Sequence, residues 1–185
     1  MSSWKGKRVR LRGIELADAQ FFFQLNQETA TQQAFARTHF PRSLASQKAF
    51  IESIHAGVSQ NDDFTFVIEN LVGKPVGFIN SHSTDRINGT FRYGLAIMES
   101  ERRQGYGREA ILLLLSYFFQ ELRYHKANAV VYAFNLGSLD LHQKMGFVEE
   151  GVLRETHFSQ GKHWDVHIFG MTKAEFLIHQ ESNLD

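Results

Sequence analysis

The chain predicts an α/β fold, a central mixed sheet with helices on both faces. Strand-like segments follow one another between residues 63 and 97 with no helical pattern between them, which reads as a meander. From residue 106 onward helical and strand patterns alternate, as they do where strands are joined through helices. The 185 residues, 43% hydrophobic and 22% charged, suffice for one compact domain and are few for two.

Each element has its own signal. Residues 7–11 suggest a first strand. Asp18 stands where it could cap a helix running to about Gln27, with Phe21, Phe22 and Leu25 as its apolar face. Ser43 could cap a second helix through Gly57, which would turn Phe50, Ile51 and Ile54 inward. Strands over 63–69 and 75–84 flank the turn Val72-Gly73-Lys74-Pro75, a hairpin signature. The next strand, 89–97, lacks clean alternation, as expected of a strand buried on both sides. A strongly apolar helical run covers 110–119. A strand over 127–134, rich in β-branched and aromatic residues, leads into a short helix with apolar positions at 136, 139, 141 and 145. Gly146 stops that helix, and a new strand starts at Phe147. Two long alternating strands then flank the short turn Gln160-Gly161, and Thr172-x-x-Glu175 is a capping box opening a last helix.

Composition excludes several function classes. Twenty basic and twenty acidic residues cancel, so no global field favours nucleic acid or an anionic membrane, and any phosphate site must be local. With no cysteine there is no disulfide framework, no thiol nucleophile and no Cys-based zinc site. The start Met-Ser-Ser-Trp-Lys lacks the apolar core of a signal peptide. The longest apolar stretch, 111–115 and then 117–119, is far short of the roughly 20 residues of a bilayer span, so a soluble cytoplasmic protein is expected. Nine histidines include His163-x-Asp165-x-His167 on one strand face. Across the hairpin that face meets Thr156 and Phe158 rather than a fourth ligand, so no metal is expected. The 17 phenylalanines fall at core spacings with no interleaved basic patch.

Two motifs carry chemistry. Arg102-x-x-Gly105-x-Gly107 sits at a strand-to-helix junction, where unpaired backbone N–H groups and the helix dipole favour an anion such as a pyrophosphate. Arg102, Arg103 and Arg108 add positive charge around it. About 30 residues on comes Asn135-x-x-Ser138-x-x-Leu141-His142-x-Lys144-x-Gly146-Phe147, a strand end, a short helix and its glycine stop. The ordered pair resembles the GNAT superfamily of acetyl-CoA-dependent N-acetyltransferases, in particular its ribosomal-protein N-terminal branch and related small-molecule enzymes. The resemblance runs from about residue 7 to 177, so a single GNAT domain is expected over 1–185.

This resemblance implies acetyl transfer from acetyl-CoA to a primary amine, a protein N-terminus or a small molecule, by direct attack in a ternary complex. It implies a sheet splayed at its centre to admit the pantetheine arm. The backbone of Gln104, Gly105, Tyr106, Gly107 and Arg108 would hold the phosphates, with Arg102 and Arg103 as further cofactor contacts through their charge, and the backbone of Leu95, Ala96 and Ile97 would pair with the pantetheine amides. Asn135, Ser138 and Lys144 would lie near the cofactor, although Asn135 also suits a helix N-cap and Lys144 a solvated helix face. His142 stands where many relatives place a tyrosine that protonates the departing thiolate, so it is the candidate general acid; the alternative is a surface histidine without a role.

No carboxylate lies on 91–97, where many relatives carry a glutamate, and Glu150 is the remaining candidate base. A lysine amine near pKa 10.4 costs roughly 4.6 kcal/mol to neutralise at pH 7 and an α-amino group near 7.8 only about 1, so a weak base suits a low-pKa acceptor. Asn80 and His82 on one strand face and Arg92 on the next strand are acceptor candidates, against a polar sheet edge and an internal ion pair. A donor with another acyl group and a non-catalytic acyl-CoA-binding module are the competing functions. The C-terminal hairpin and 176–178 are candidates for a homodimer interface.

Overall fold

The structure, a computed structural model, describes residues 4–34, 40, 42–56 and 61–181. The strands are β1 (Val9–Gly13), β2 (Thr65–Asn70), β3 (Pro75–Asp85), β4 (Thr90–Ile97), β5 (Lys126–Tyr132), β6 (Val148–Ser159) and β7 (Lys162–Thr172). The helices are α1 (Ala19–Leu25), α2 (Thr29–Ala34), α3 (Leu44–Ala56), α4 (Tyr106–Gln120), α5 (Leu136–Lys144) and α6 (Lys173–Glu181). The strands form one sheet in the order β1-β2-β3-β4-β5-β7-β6. It is mixed: β4 and β5 are parallel, whereas β1–β2, β2–β3, β5–β7 and β6–β7 are antiparallel. The expected mixed α/β fold is therefore observed. The β4–β5 ladder consists of Thr90↔Lys126, Phe91↔Ala127 and Arg92↔Asn128, three of β4's eight residues.

Contacts gather into two compact units, Met1–His82 with Gly94–Leu113, and Ser83–Tyr93 with Leu114–Asp185. The first unit's core packs Ile14, Ala19, Phe21, Phe22, Leu25, Ile51, Val67 and Ala96, with Phe78 and Met98 against it. The second is built on aromatic pairs. Phe91 stacks on Phe118 and meets Phe119 and Tyr124 edge-on, and Phe119 packs on Phe176.

Several local expectations are corrected. Asp18 occupies the N-cap position of α1 but turns its carboxylate away from that helix, to Arg12 and the N–H of Glu15. Ser43 does cap α3 by accepting from Ser46 N–H at 3.1 Å. The expected helix end at Gly57 lies outside the described residues. Of α3's three apolar candidates only Ile51 is buried; Phe50 is 44% and Ile54 37% exposed, and the Arg42 guanidinium stands over the Phe50 ring. Helix α2 had no signal, because Thr-Ala-Thr-Gln-Gln-Ala offers no apolar stripe. Strand β4 carries buried residues on both faces, Phe91 and Tyr93 on one and Ala96 on the other, and of its eight residues only Arg92 is exposed. Strand β6 does not alternate but is exposed along nearly all its length.

The predicted turns are in place. Gly73, at φ 86°, closes the β2–β3 hairpin, with Asn70 N–H donating to Lys74 O and Gly73 N–H to Asn70 O. Gln160 and Gly161 both have positive φ, 54° and 79°, as a two-residue hairpin turn between right-twisted strands requires. The capping box of α6 is complete: Thr172 N–H donates to Glu175 Oε2 and Glu175 N–H to Thr172 Oγ1.

Candidate active site

In the first unit the chain leaves β4 at Ile97, makes a short 3-10 turn over Glu99–Glu101 and opens α4 at Tyr106. The intervening residues are set by left-handed backbone at Arg103 (φ 62°) and Gly105 (φ 80°). At Gly105 such a φ suits only a residue without Cβ, whereas at Arg103 a side chain tolerates it at a cost. Before the loop, Glu28 accepts from the N–H of Glu99, which anchors the turn. Arg102 is held in place by two neutral acceptors, its Nε donating to Ile97 O and its Nη2 to Thr31 Oγ1. Arg103 and Arg108 are exposed. An open pocket of about 440 Å³ lies beside the loop, lined by Arg8, Asn70, Leu71, Val72, Gln104 and Tyr106.

The pantetheine candidates Leu95, Ala96 and Ile97 end β4. The Ala96 carbonyl comes so near Gly77 of β3 that a Cβ there would stand 2.3 Å from it, hence the glycine. Asn80, an acceptor-side candidate, accepts the Gly94 N–H at 3.0 Å through Oδ1 and so ties β3 to β4. His82 is half-buried on β3.

In the second unit Asn135 caps α5, its Oδ1 accepting Ser138 N–H at 3.2 Å, as the sequence allowed. His142 is no surface residue: it is 5% exposed, packed against Tyr93, Phe147 and Phe169. Its Nδ1 lies 2.7 Å from the Ser138 carbonyl oxygen and its Nε2 2.8 Å from Tyr93 Oη. A carbonyl only accepts, so Nδ1 carries the proton and Nε2 accepts from the Tyr93 hydroxyl. Burial lowers the His142 pKa from its ordinary 6.5, opposed by the Ser138 carbonyl, and burial raises Tyr93 well above 10. The pair is therefore neutral, with its one imidazole proton committed to the backbone.

Lys144 pairs with Asp140 one turn back, exposed, at 2.8 Å. Glu150, the candidate base, is bound by Lys126 Nζ at 2.5 Å. Arg92 is exposed and makes no ion pair among the described residues, contrary to the internal pair weighed for it. Asp165 accepts the N–H of Glu155, and among the described residues no group of three His, Cys, Asp or Glu could hold a metal ion. No described helix is long and apolar enough to cross a membrane.

Sequence reasoning missed Tyr93, Arg8 and Glu109. The last accepts from three consecutive backbone N–H groups a hundred residues away. No sequence periodicity joins such segments; the only local hint was an acid in the first turn of α4.

Comparison with known proteins shows the family. The acetyltransferase (GNAT) domain profile matches residues 8–148. An uncharacterized N-acetyltransferase of the SPbeta prophage in Bacillus subtilis, YokL, is 39% identical over 175 residues, 95% of this chain and 96% of its own. The spermidine N(1)-acetyltransferase of Vibrio cholerae is 24% identical over 94% of this chain and 98% of its own. A crystal structure of the spermidine N-acetyltransferase from Vibrio cholerae, in complex with CoA and spermine, superposes with a TM-score of 0.83 at 23% identity. It covers 93% of this chain and 99% of that one.

Proposed function

Because the chain belongs to the GNAT acetyltransferase family, it transfers acetyl from acetyl-CoA to an amine, and we propose that the amine attacks the thioester directly in a ternary complex. With no cysteine, the protein offers no thiol to carry the acetyl group. The observation that carries the donor assignment is the left-handed pair Arg103 and Gly105 leading straight into α4 beside an open pocket. There the backbone of Gln104, Gly105, Tyr106, Gly107 and Arg108, with Arg103, takes the pyrophosphate, and Leu95, Ala96 and Ile97 take the pantetheine amides. Asn135, Ser138 and Lys144 are the further donor candidates, with Asn135 serving as cap as well.

The acceptor we infer is a low-pKa amine, first of all a protein or peptide α-amino group, as in the ribosomal-protein N-terminal branch. What supports this is the state of the groups that could remove a proton. Glu150 is tied to Lys126, and His142 is neutral and tied to Tyr93 and Ser138. An α-amino group needs only about 1 kcal/mol of help at pH 7, against roughly 4.6 for a lysine-like amine. The relatives named spermidine N(1)-acetyltransferases make a polyamine the second reading. For His142 as general acid the support is its motif position alone, since its Nδ1–H is given to Ser138 O and its Nε2 accepts from the Tyr93 hydroxyl. Asn80, His82 and the exposed Arg92 are the acceptor-side candidates, Asn80 also holding the Gly94 N–H of β4. The single GNAT domain expected over 1–185 is supported by a profile match that spans 8–148. A homodimer through the C-terminal hairpin fits the exposed Val152, Leu153 and Phe158 of β6 and Ile178 of α6.

Titration calorimetry with acetyl-CoA tests the donor site: the wild type should bind and Gly105→Asp should not. Thiol release from acetyl-CoA is then followed with a free α-amino peptide, an Nα-blocked lysine peptide and spermidine. Fastest turnover on the α-amino peptide is expected. Preference for spermidine would replace that acceptor, and binding without thiol release on any amine would leave a non-catalytic module.

A further inference from the structure

Glu109 and Arg8 have no part in the motif, yet their arrangement bears on it. Glu109, in the first turn of α4, spreads its carboxylate under the chain entering β1: Oε1 accepts from Lys7 N–H at 2.8 Å, and Oε2 from Arg8 N–H at 2.7 Å and Val9 N–H at 2.8 Å. Three charge-assisted bonds from consecutive amides fix that segment's backbone. The carboxylate lies so close to Gly6 that a Cβ there would stand 2.5 Å from Glu109 Cδ. So fixed, the backbone sends the Arg8 side chain over the loop. Its Nη1 donates to the Gln104 carbonyl at 3.2 Å, and its Cδ would lie 3.4 Å from a Cβ on Gly105. Arg8 is exposed, lines the open pocket beside Gln104 and Tyr106, and makes no ion pair among the described residues.

We propose that Arg8 is a positioning residue for the donor's phosphates, held by Glu109. It ties the carbonyl of Gln104 back, so that the backbone between the left-handed Arg103 and Gly105 keeps the shape an anion needs, and it adds a guanidinium at the rim of the pocket. This rests on the assignment of that loop to the phosphates. Its effect is confined to the phosphate-bearing end of the donor, because every group involved belongs to the loop, the start of α4 and the entry to β1.

A donor without phosphates isolates the effect. Steady-state kinetics with acetyl-CoA and with S-acetylpantetheine are compared for wild type, Arg8→Gln, Arg8→Lys and Glu109→Gln. The wild type should prefer acetyl-CoA. Arg8→Gln should raise KM for acetyl-CoA about tenfold with kcat within twofold, and leave kcat/KM for S-acetylpantetheine unchanged. Arg8→Lys should recover part of the loss, and Glu109→Gln should act in the same direction, less strongly, since a carboxamide keeps one acceptor oxygen. An unchanged acetyl-CoA KM in Arg8→Gln, or an equal loss on both donors, overturns the role of Arg8 while the phosphate loop stands. A wild type that does not distinguish the two donors removes the loop assignment and this proposal together.

Discussion

At the scale of single residues, the buried Tyr93–His142 pair makes the sharpest prediction. His142 is held neutral, its pKa lowered by burial from 6.5. Below that ordinary value the unfolded chain takes up a proton that the folded chain does not. Stability is therefore lost as pH falls through about 6.5, and it levels off once the folded pKa is passed. One proton changes stability by at most about 1.4 kcal/mol per pH unit. Urea unfolding at pH 7.5 and 5.5 should show a smaller pH difference for His142→Gln, whose amide can satisfy Ser138 O and Tyr93 Oη without titrating. Tyr93→Phe leaves Nε2 buried without a donor and should cost about 1–3 kcal/mol at pH 7.5. An equal pH difference in wild type and His142→Gln would show that the imidazole is not the group responsible. The sequence marked position 142 through its place in a motif, and marked Gly105 and Asn135 likewise. It could not show that 142 faces inward, because the apolar residues of so short a helix define no single face, and Tyr93 lies 49 positions away.

At the scale of elements, the legible parts were those where one residue type answers one backbone demand. Gly73, Gly146 and Gly161 all have positive φ, and each was read as a stop or turn. The capping box at Thr172 and Glu175 was read from spacing alone. Illegible parts depended on a neighbour: α2 has no stripe, and the exposure of Arg92 on β4 follows from what packs beside it. Gly77 belongs to this second class. Nothing around it signals a turn, yet its lack of a side chain lets β3 approach the Ala96 carbonyl of β4. Gly77→Ala must push apart the two strands at the residues assigned to the pantetheine arm. A loss of about 3 kcal/mol, the upper end for overpacking, is expected because the obstructing atom is backbone and cannot rotate away. Acetyl-CoA affinity should fall with it. A Gly77→Ala protein of wild-type stability and affinity would mean that β4 adapts freely there.

At the scale of the whole molecule, the mixed sheet was foreshadowed by a meander followed by alternating helices and strands and family membership by two motifs in order, whereas the strand order and the grouping of contacts into two units were not. Motif residues fall on both sides of that grouping: Arg102 and Gly105 in the first, Asn135 and His142 in the second. Acetyl-CoA binding to the folded chain stabilises it against unfolding by mass action. At a hundredfold excess of acetyl-CoA over its Kd that stabilisation is about 2.7 kcal/mol. For a chain of this length each kcal/mol moves Tm by roughly 2–4 °C, so the shift should be about 5–11 °C. Gly105→Asp should abolish the shift, since it removes the phosphate end. Asn135→Ala should cost about 1 kcal/mol through the lost cap and so lower the starting Tm by roughly 2–4 °C. If Asn135 also touches the donor, that variant should shift less than the wild type at the same acetyl-CoA concentration; an equal shift confines Asn135 to capping α5. The same titration bears on catalysis. CoA alone should shift Tm nearly as far as acetyl-CoA, because the phosphates and pantetheine are common to both and the acetyl group adds only two carbons and an oxygen.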